Sequence, residues 1–200
     1  MGKPTDRDLV ARARSGDEAA FEQLVRRYQP RIYKLAVHLL RDRSEAEDVT
    51  QETFVRAFQA LDRFDGRSEP FTWMYRIAVN LSLNLLRTRK VVRKSAPLDD
   101  GRKDARLEAL IAQARDGRAD PRGDASRKEL YFALCAGLDT LSETLRTTLV
   151  LVCIDGLSHE EAGQVLGAPE GTIAWRVHEA RKKLRLFLEA RGFDPEGDAK

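Results

Sequence analysis

Arg76, Asn80, Asn84 and Arg87 recur at three- and four-residue steps and share one face of a helix, with Trp73 at its start. A ridge of guanidinium and amide donors edged by an indole offers phosphates a positive charge and bases a surface to stack on. That is the chemistry of holding a nucleic-acid strand. The basic run from Arg87 to Lys90, RTRK, closes the ridge. Trp73 fits either a strand contact or a place in the core, and the two asparagines fit either a contact or an ordinary polar surface. One helix earlier, Asp48, Gln51 and Glu52 share an outward, acidic face. Taken alone, such a triplet also describes a merely solvated helix surface.

A third group lies near the C-terminus. Thr172, Trp175, Arg176, Glu179 and Lys182 share one side of a helix, with His178 at its edge and Ile173, Val177, Ala180 and Leu184 on the opposite, apolar stripe. An outward tryptophan among basic residues is what a helix entering the major groove presents. Arg181, Lys182, Lys183 and Arg185 would then lie near phosphates, fixing register without reading sequence. Packing of Trp175 against a neighbouring helix is the competing reading.

Catalysis by this chain finds no support. His159-Glu160-Glu161 lacks the second histidine of a zinc motif, and the histidines and cysteines show no metal-ligand spacing. Neither a glycine-rich phosphate loop nor a nucleophile elbow is present. No catalytic residue, metal or cofactor is expected.

The elements that must position these groups are helices. Thr5 or Asp6 caps a short helix ending at Ser15-Gly16, and Asp17 opens a longer one, with apolar residues from Phe21 to Leu39 at helical spacing and a kink expected at Pro30. Ser44 to Glu47 reads as a capping box for the acidic-faced helix, roughly Glu45 to Leu61, whose expected buried stripe is Val49, Phe54, Ala57, Phe58 and Leu61. Gly66 and Pro70 punctuate the loop before the basic ridge, whose helix places Met74, Ala78, Leu81 and Leu85 on one stripe. From Val91 to about Ser126, prolines, glycines and alternating charge replace the large apolar residues, which marks a linker; Asp104 to Arg115 within it has a helical pattern. Capping signals at Ser126, Ser142 and Ser158 then open three helices. Gly167 and the turn Ala168 to Gly171 lead into a last helix, about Thr172 to Ala190, completing a helix-turn-helix.

Composition agrees. The 200 residues are 42% hydrophobic and 34% charged with a net charge of only +3, so any polyanion must be held by local clusters. Cys135 and Cys153 sit in apolar helical runs, as buried free thiols of a reducing compartment do. The N-terminus lacks a leader pattern, and the longest apolar run, Leu149 to Ile154, cannot span a bilayer. A soluble, cytoplasmic chain without membrane insertion is expected. The expected fold class is all-α: two small helical domains joined by a flexible linker, the second a helix-turn-helix (winged-helix-like) DNA-binding domain. The boundaries fall at residues 1–92, 93–126 for the linker, 127–192, and 193–200 for a tail.

Five segments in order, GDEAAFEQLVRRY, AEDVTQETFVRAF, FTWMYRIAVNLSLNLLR, LDTLSETLRTTLVL and GLSHEEAGQVLGAPEGTIAWRVHEARKKL, resemble the extracytoplasmic-function (ECF) sigma factors, the smallest group of the sigma-70 family. The resemblance covers nearly the whole chain apart from linker and tail. It implies an RNA polymerase subunit for transcription initiation, with a first domain equivalent to sigma region 2 and a second to region 4. By it, Asp48, Gln51 and Glu52 dock on the clamp coiled coil of the largest subunit of core RNA polymerase. The loop Phe64 to Phe71, including Arg67 and Ser68, pockets a base flipped from the minus-ten element of promoter DNA; Trp73, Arg76, Asn80, Asn84 and Arg87 follow that strand. Thr172, Ala174, Trp175, Arg176, His178, Glu179 and Lys182 read the minus-thirty-five element, and an anti-sigma factor holds the protein inactive. Ala174-Trp175 and Glu179 depart from the basic and serine residues many relatives carry, so no familiar minus-thirty-five sequence transfers. The alternatives are a conventional helix-turn-helix regulator acting without polymerase docking and a helical adaptor without a DNA role.

Overall fold

The computed structural model describes residues 3–95 and 121–193, with side chains for 3–91 and 129–193. Thr5 caps α1 (Asp6–Arg14): its hydroxyl accepts the Asp8 N–H, while the Asp8 carboxylate accepts the Thr5 N–H, so two otherwise orphaned donors are satisfied reciprocally. Asp17 caps α2 (Glu18–Leu40), which continues as one helix through Pro30. Asp42, rather than the expected Ser44, caps α3 (Arg43–Gln59), because its extended backbone aims a carboxylate oxygen at the Glu45 N–H, 3.1 Å away. Leu61 lies beyond α3, in the single 3-10 turn Leu61–Arg63. Pro70 opens α4 (Pro70–Ser95), as a residue without an N–H can at a helix start.

These helices pack around Leu9, Leu24, Ile32, Leu35, Met74 and Tyr75, all inaccessible to solvent or nearly so. Asp17 does more than cap: it also accepts hydrogen bonds from Arg12 Nη2 and Nε at 2.7 and 2.9 Å. Arg12 first, and the Ala20 N–H second, hold its carboxyl below the usual carboxylate range. A carboxyl whose pKa is depressed by folding contributes stability above its unfolded value, near 3.8, and that contribution vanishes as pH falls through the lower, folded value. Asp17→Ala is therefore expected to lower the urea midpoint at pH 7, with the gap to the wild type closing as the pH drops below about 4.

The second set comprises α5 (Pro121–Thr140), α6 (Glu143–Leu149), a π-helical turn (Val150–Ile154), α7 (His159–Leu166) and α8 (Glu170–Glu189). Ser142 caps α6, and Ser158 with Glu161 forms a full capping box on α7. Gly167, at φ 64°, ends α7 in the left-handed conformation that a side chain would disfavour. Leu145, Leu151, Val165, Ile173 and Val177 form the core of this set. No strand occurs among the described residues, and no helix among them is long and apolar enough to cross a membrane.

Three boundary expectations are corrected. α5 begins at Pro121, so Ser126 lies inside a helix rather than capping one; a proline again supplies the start. α8 begins at Glu170, two residues before Thr172, and α4 extends to Ser95. Most of the expected linker, including Asp104 to Arg115, and the last seven residues lie outside the described residues.

Cys135 is buried, but Cys153 is exposed, contrary to its apolar neighbourhood in sequence. The π-helical turn ends the apolar run and puts Cys153 and Ile154 on the wall of a cavity of about 520 Å³ that Val37, Leu138 and Leu184 also line. The two helical sets do not stand apart. Buried apolar side chains from both sets join in one contiguous cluster, beside a smaller one of Ala36, Leu40, Ala46 and Val49, with α7 packed on α4 and the π-helical turn on α2.

Candidate nucleic-acid interface

The ridge on α4 is present as spacing predicts. Arg76, Asn80, Asn84 and Arg87 are all exposed, while Thr72, Met74, Tyr75, Ala78, Val79 and Ser82 turn inward. A 26-residue helix with so continuous an apolar side holds its polar side in register over several turns. Trp73 is half-buried against Phe64, ring centroids 4.8 Å apart.

The loop before the ridge behaves differently from expectation. Phe64 is buried, so it does not present a ring to a base; it supports the loop from beneath. Phe71 is half-buried between Tyr28 and Tyr75, at 5.9 and 4.2 Å, with the Arg31 guanidinium 4.4 Å from its ring centroid. Burial raises the Tyr28 hydroxyl well above its ordinary range, with Asp6 accepting its hydrogen bond. The loop aromatics are thus fixed from below. Arg67 is exposed, Ser68 half-buried, and the turn is shaped by Gly66 at φ 71° and by Asp65, which accepts the Arg67 N–H. Arg7 donates to Glu69 from Nη2 at 2.6 Å and ties the loop to α1.

On α3, Asp48 and Gln51 are exposed and Glu52 is half-buried, its carboxylate accepting from Arg56 Nε at 2.6 Å. Phe58 corrects the expected stripe: it is 52% exposed. Seven residues separate it from Gln51, which returns a helix to nearly the same angle, so it belongs to the outward face. With Val55, 49% exposed, and Phe21, in edge contact with Phe58 at 5.1 Å, it gives the acidic face an apolar continuation that the sequence reading missed. The seven-residue step from Gln51 was the available signal.

On α8, Trp175 is 61% exposed, so it does not pack against a neighbouring helix. His178 and Lys182 are exposed beside it, and Thr172, Ala174, Arg176 and Glu179 are half-buried. Ile173, Val177 and Ala180 are buried on the other side, as spaced; Leu184 is only half-buried. Arg181 is exposed and donates to the Cys153 sulfur of the π-helical turn at 3.2 Å.

Two family models match this chain: Sigma-70 region 2 over residues 24–92 and Sigma-70, region 4 over residues 134–184. The RNA polymerase sigma-H factor of Pseudomonas aeruginosa is 36% identical, the match covering 92% of this chain and 94% of that protein. The ECF RNA polymerase sigma factor SigW of Bacillus subtilis is 33% identical over 90% of this chain and 94% of its own. The chain belongs to the ECF sigma factors of the sigma-70 family. It is an RNA polymerase sigma factor, acting with core polymerase in promoter recognition and transcription initiation. The solved structure of CnrH in complex with the cytosolic domain of CnrY is similar to this sigma factor at TM-score 0.67 and 31% identity, covering 92% of this chain and 97% of that one. The α3 face and α4 ridge fall within the region 2 match, and the exposed Trp175 side of α8 within the region 4 match.

Proposed function

We propose that the two matched regions divide promoter work between a strand-holding domain, residues 1–92, and a duplex-reading domain, residues 127–192. The observation that carries this reading is the continuous exposed ridge of Arg76, Asn80, Asn84 and Arg87 above a rigid aromatic base. Its guanidinium and amide groups suit the phosphates and base edges of a melted nontemplate strand, with Arg67 and Ser68 at the loop end and Phe64, Phe71 and Trp73 setting the loop's shape. Bases held on such a platform contribute about 1–3 kcal/mol each, which offsets unpairing. Asp48, Gln51 and Glu52 dock on the basic clamp coiled coil of core polymerase. Thr172, Ala174, Trp175, Arg176, His178, Glu179 and Lys182 meet the minus-thirty-five duplex.

Anchoring both readers to one large enzyme makes the second DNA contact intramolecular, so weak individual affinities suffice. A net charge of +3 fits that economy. The sigma factor performs no chemistry of its own; RNA synthesis belongs to the polymerase, in the cytoplasm. An anti-sigma factor controls it, a reading supported by relatives solved in complexes, among them a sigma factor RpoE with the anti-sigma factor NepR from Bartonella quintana, 24% identical and alike in fold.

The test is run-off transcription with purified core polymerase on promoters found by transcript sequencing after overexpression. Asn80→Ala is expected to cut initiation about tenfold through slower strand opening while leaving core binding intact. Equal rates of open-complex formation for wild type and variant would refute the strand-holding role.

A further inference from the structure

The cavity of about 520 Å³ beside α5 has no part in the polymerase and DNA contacts proposed above. Val37 of α2, Leu134 and Leu138 of α5, Leu149 of α6 and Leu184 of α8 line it, with the exposed Cys153 on its wall. Protein interiors are close-packed, so an open space of this size leaves the leucines without partner atoms on one side. Burial, the largest influence on each, raises the Tyr131 hydroxyl and the Cys135 thiol of the same wall above their ordinary ranges, as poor hydration does. Such a space suits an apolar occupant rather than water.

Its charged groups are of one sign. His38, Arg41 and Arg181 stand on the lining, and no carboxylate does among the described residues. Arg41 donates through Nη1 to Asp139 at 2.8 Å, a carboxylate it shares with Arg146; its Nη2 is buried without a hydrogen-bond partner among the described residues. His38 Nδ1 is also buried and unbonded there, with Asp155 3.9 Å away, beyond hydrogen-bond distance. Arg181 directs Nη2 at the Cys153 sulfur, a weak acceptor.

We infer that this cavity binds one long-chain monocarboxylate, a free fatty acid, with its alkyl chain along the leucines and its carboxylate drawn to the guanidiniums of Arg41 and Arg181. A guanidinium and a carboxylate pair through parallel, charge-assisted hydrogen bonds, and the chain gains by leaving water. A partner helix is about 10 Å across and fills roughly 420 Å³ per turn, so the cavity would hold little more than one turn of it. A single alkyl chain is narrow enough to enter whole. The site gives the sigma factor a small-molecule input and requires none of the DNA assignments.

Calorimetric titration of the full chain with octanoate, decanoate and dodecanoate tests this. Affinity is expected to rise about fourfold for each added methylene. Dodecanoate should bind at one site, about tenfold more tightly than dodecyltrimethylammonium, which carries the same chain with the opposite charge. Arg181→Gln should weaken dodecanoate about tenfold without weakening dodecyltrimethylammonium. At roughly ten times its Kd, dodecanoate should slow alkylation of Cys153 by N-ethylmaleimide about tenfold, mapped by mass spectrometry, since only the unoccupied fraction reacts. Cys153→Phe puts a ring into the cavity from an exposed position and should abolish binding with circular dichroism unchanged; Leu138→Trp fills it from α5. If both variants unfold, the alkylation of the unaltered chain still decides.

Equal affinity for octanoate and dodecanoate, or binding by the folded, filled variants as tight as by the wild type, overturns the proposal, because the chain is then held elsewhere. Equal affinity for dodecanoate and dodecyltrimethylammonium overturns it by showing that the guanidiniums do not select the head group. Alkylation of Cys153 that saturating dodecanoate leaves unchanged, or that is already blocked in the free protein by another part of the chain, overturns it as well.

Discussion

Asp48→Arg is expected to weaken association with core polymerase about 100-fold, by fluorescence anisotropy of labelled protein, and to abolish run-off transcription at ordinary concentrations. The side chain is exposed at the centre of the outward face of α3, while Ala46, Val49, Thr50 and Thr53 on the inner face carry the packing. Reversal therefore acts on the partner and not on the fold, and thermal unfolding should change little. The large effect arises because a docked carboxylate loses its solvation to gain a cation, and the substituted cation meets like charge in the same desolvated place. Phe58 and Val55 extend that face with apolar surface, which can exclude water around the charged centre. Unchanged association would leave the acidic face a solvated helix surface and would move docking elsewhere.

Gly163→Val is expected to destabilise the second domain by about 2–3 kcal/mol, the range for inserting a side chain into filled space. A Cβ at residue 163 would stand 2.6 Å from the Ala168 carbonyl oxygen, closer than any relaxed contact. That oxygen belongs to the turn of the helix-turn-helix, and the Ala168 N–H is itself bonded to the Gly163 carbonyl at 3.0 Å, so backbone would have to shift. Glycine in a helix interior ordinarily costs stability, and here close approach of the turn explains its presence. Urea unfolding followed by far-ultraviolet circular dichroism should show the loss, and initiation should fall while association with core polymerase persists. A stability equal to the wild type would mean that the turn sits farther from α7 than this geometry shows.

Several features of the site were legible in residue order because their causes are local. The faces of α4 and α8 follow from the angle between successive residues, and the caps at Thr5, Asp17, Ser142 and Ser158 from side-chain oxygens that reach only neighbouring N–H groups. Where two local signals competed, order misled. Ser44 loses to Asp42 as the cap, and Phe58, apolar and helically spaced, lies at nearly the angle of Gln51 and faces outward. Hydrophobicity indicates that a residue gains from burial, not that the fold provides a place for it.

By itself the sequence determined the helical fold class, the positions of its main turns, three outward polar faces and, through its motifs, kinship with sigma factors. Tertiary structure alone decided that Phe64 and Trp73 stack beneath the loop and that Trp175 stands free. It also decided that Arg76 meets residue 164 and Arg87 meets Glu143, partners 88 and 56 positions away. Periodicity carries information over a few turns of one helix, whereas contacts between helices depend on how whole apolar faces pack in three dimensions, and no spacing of residues records that.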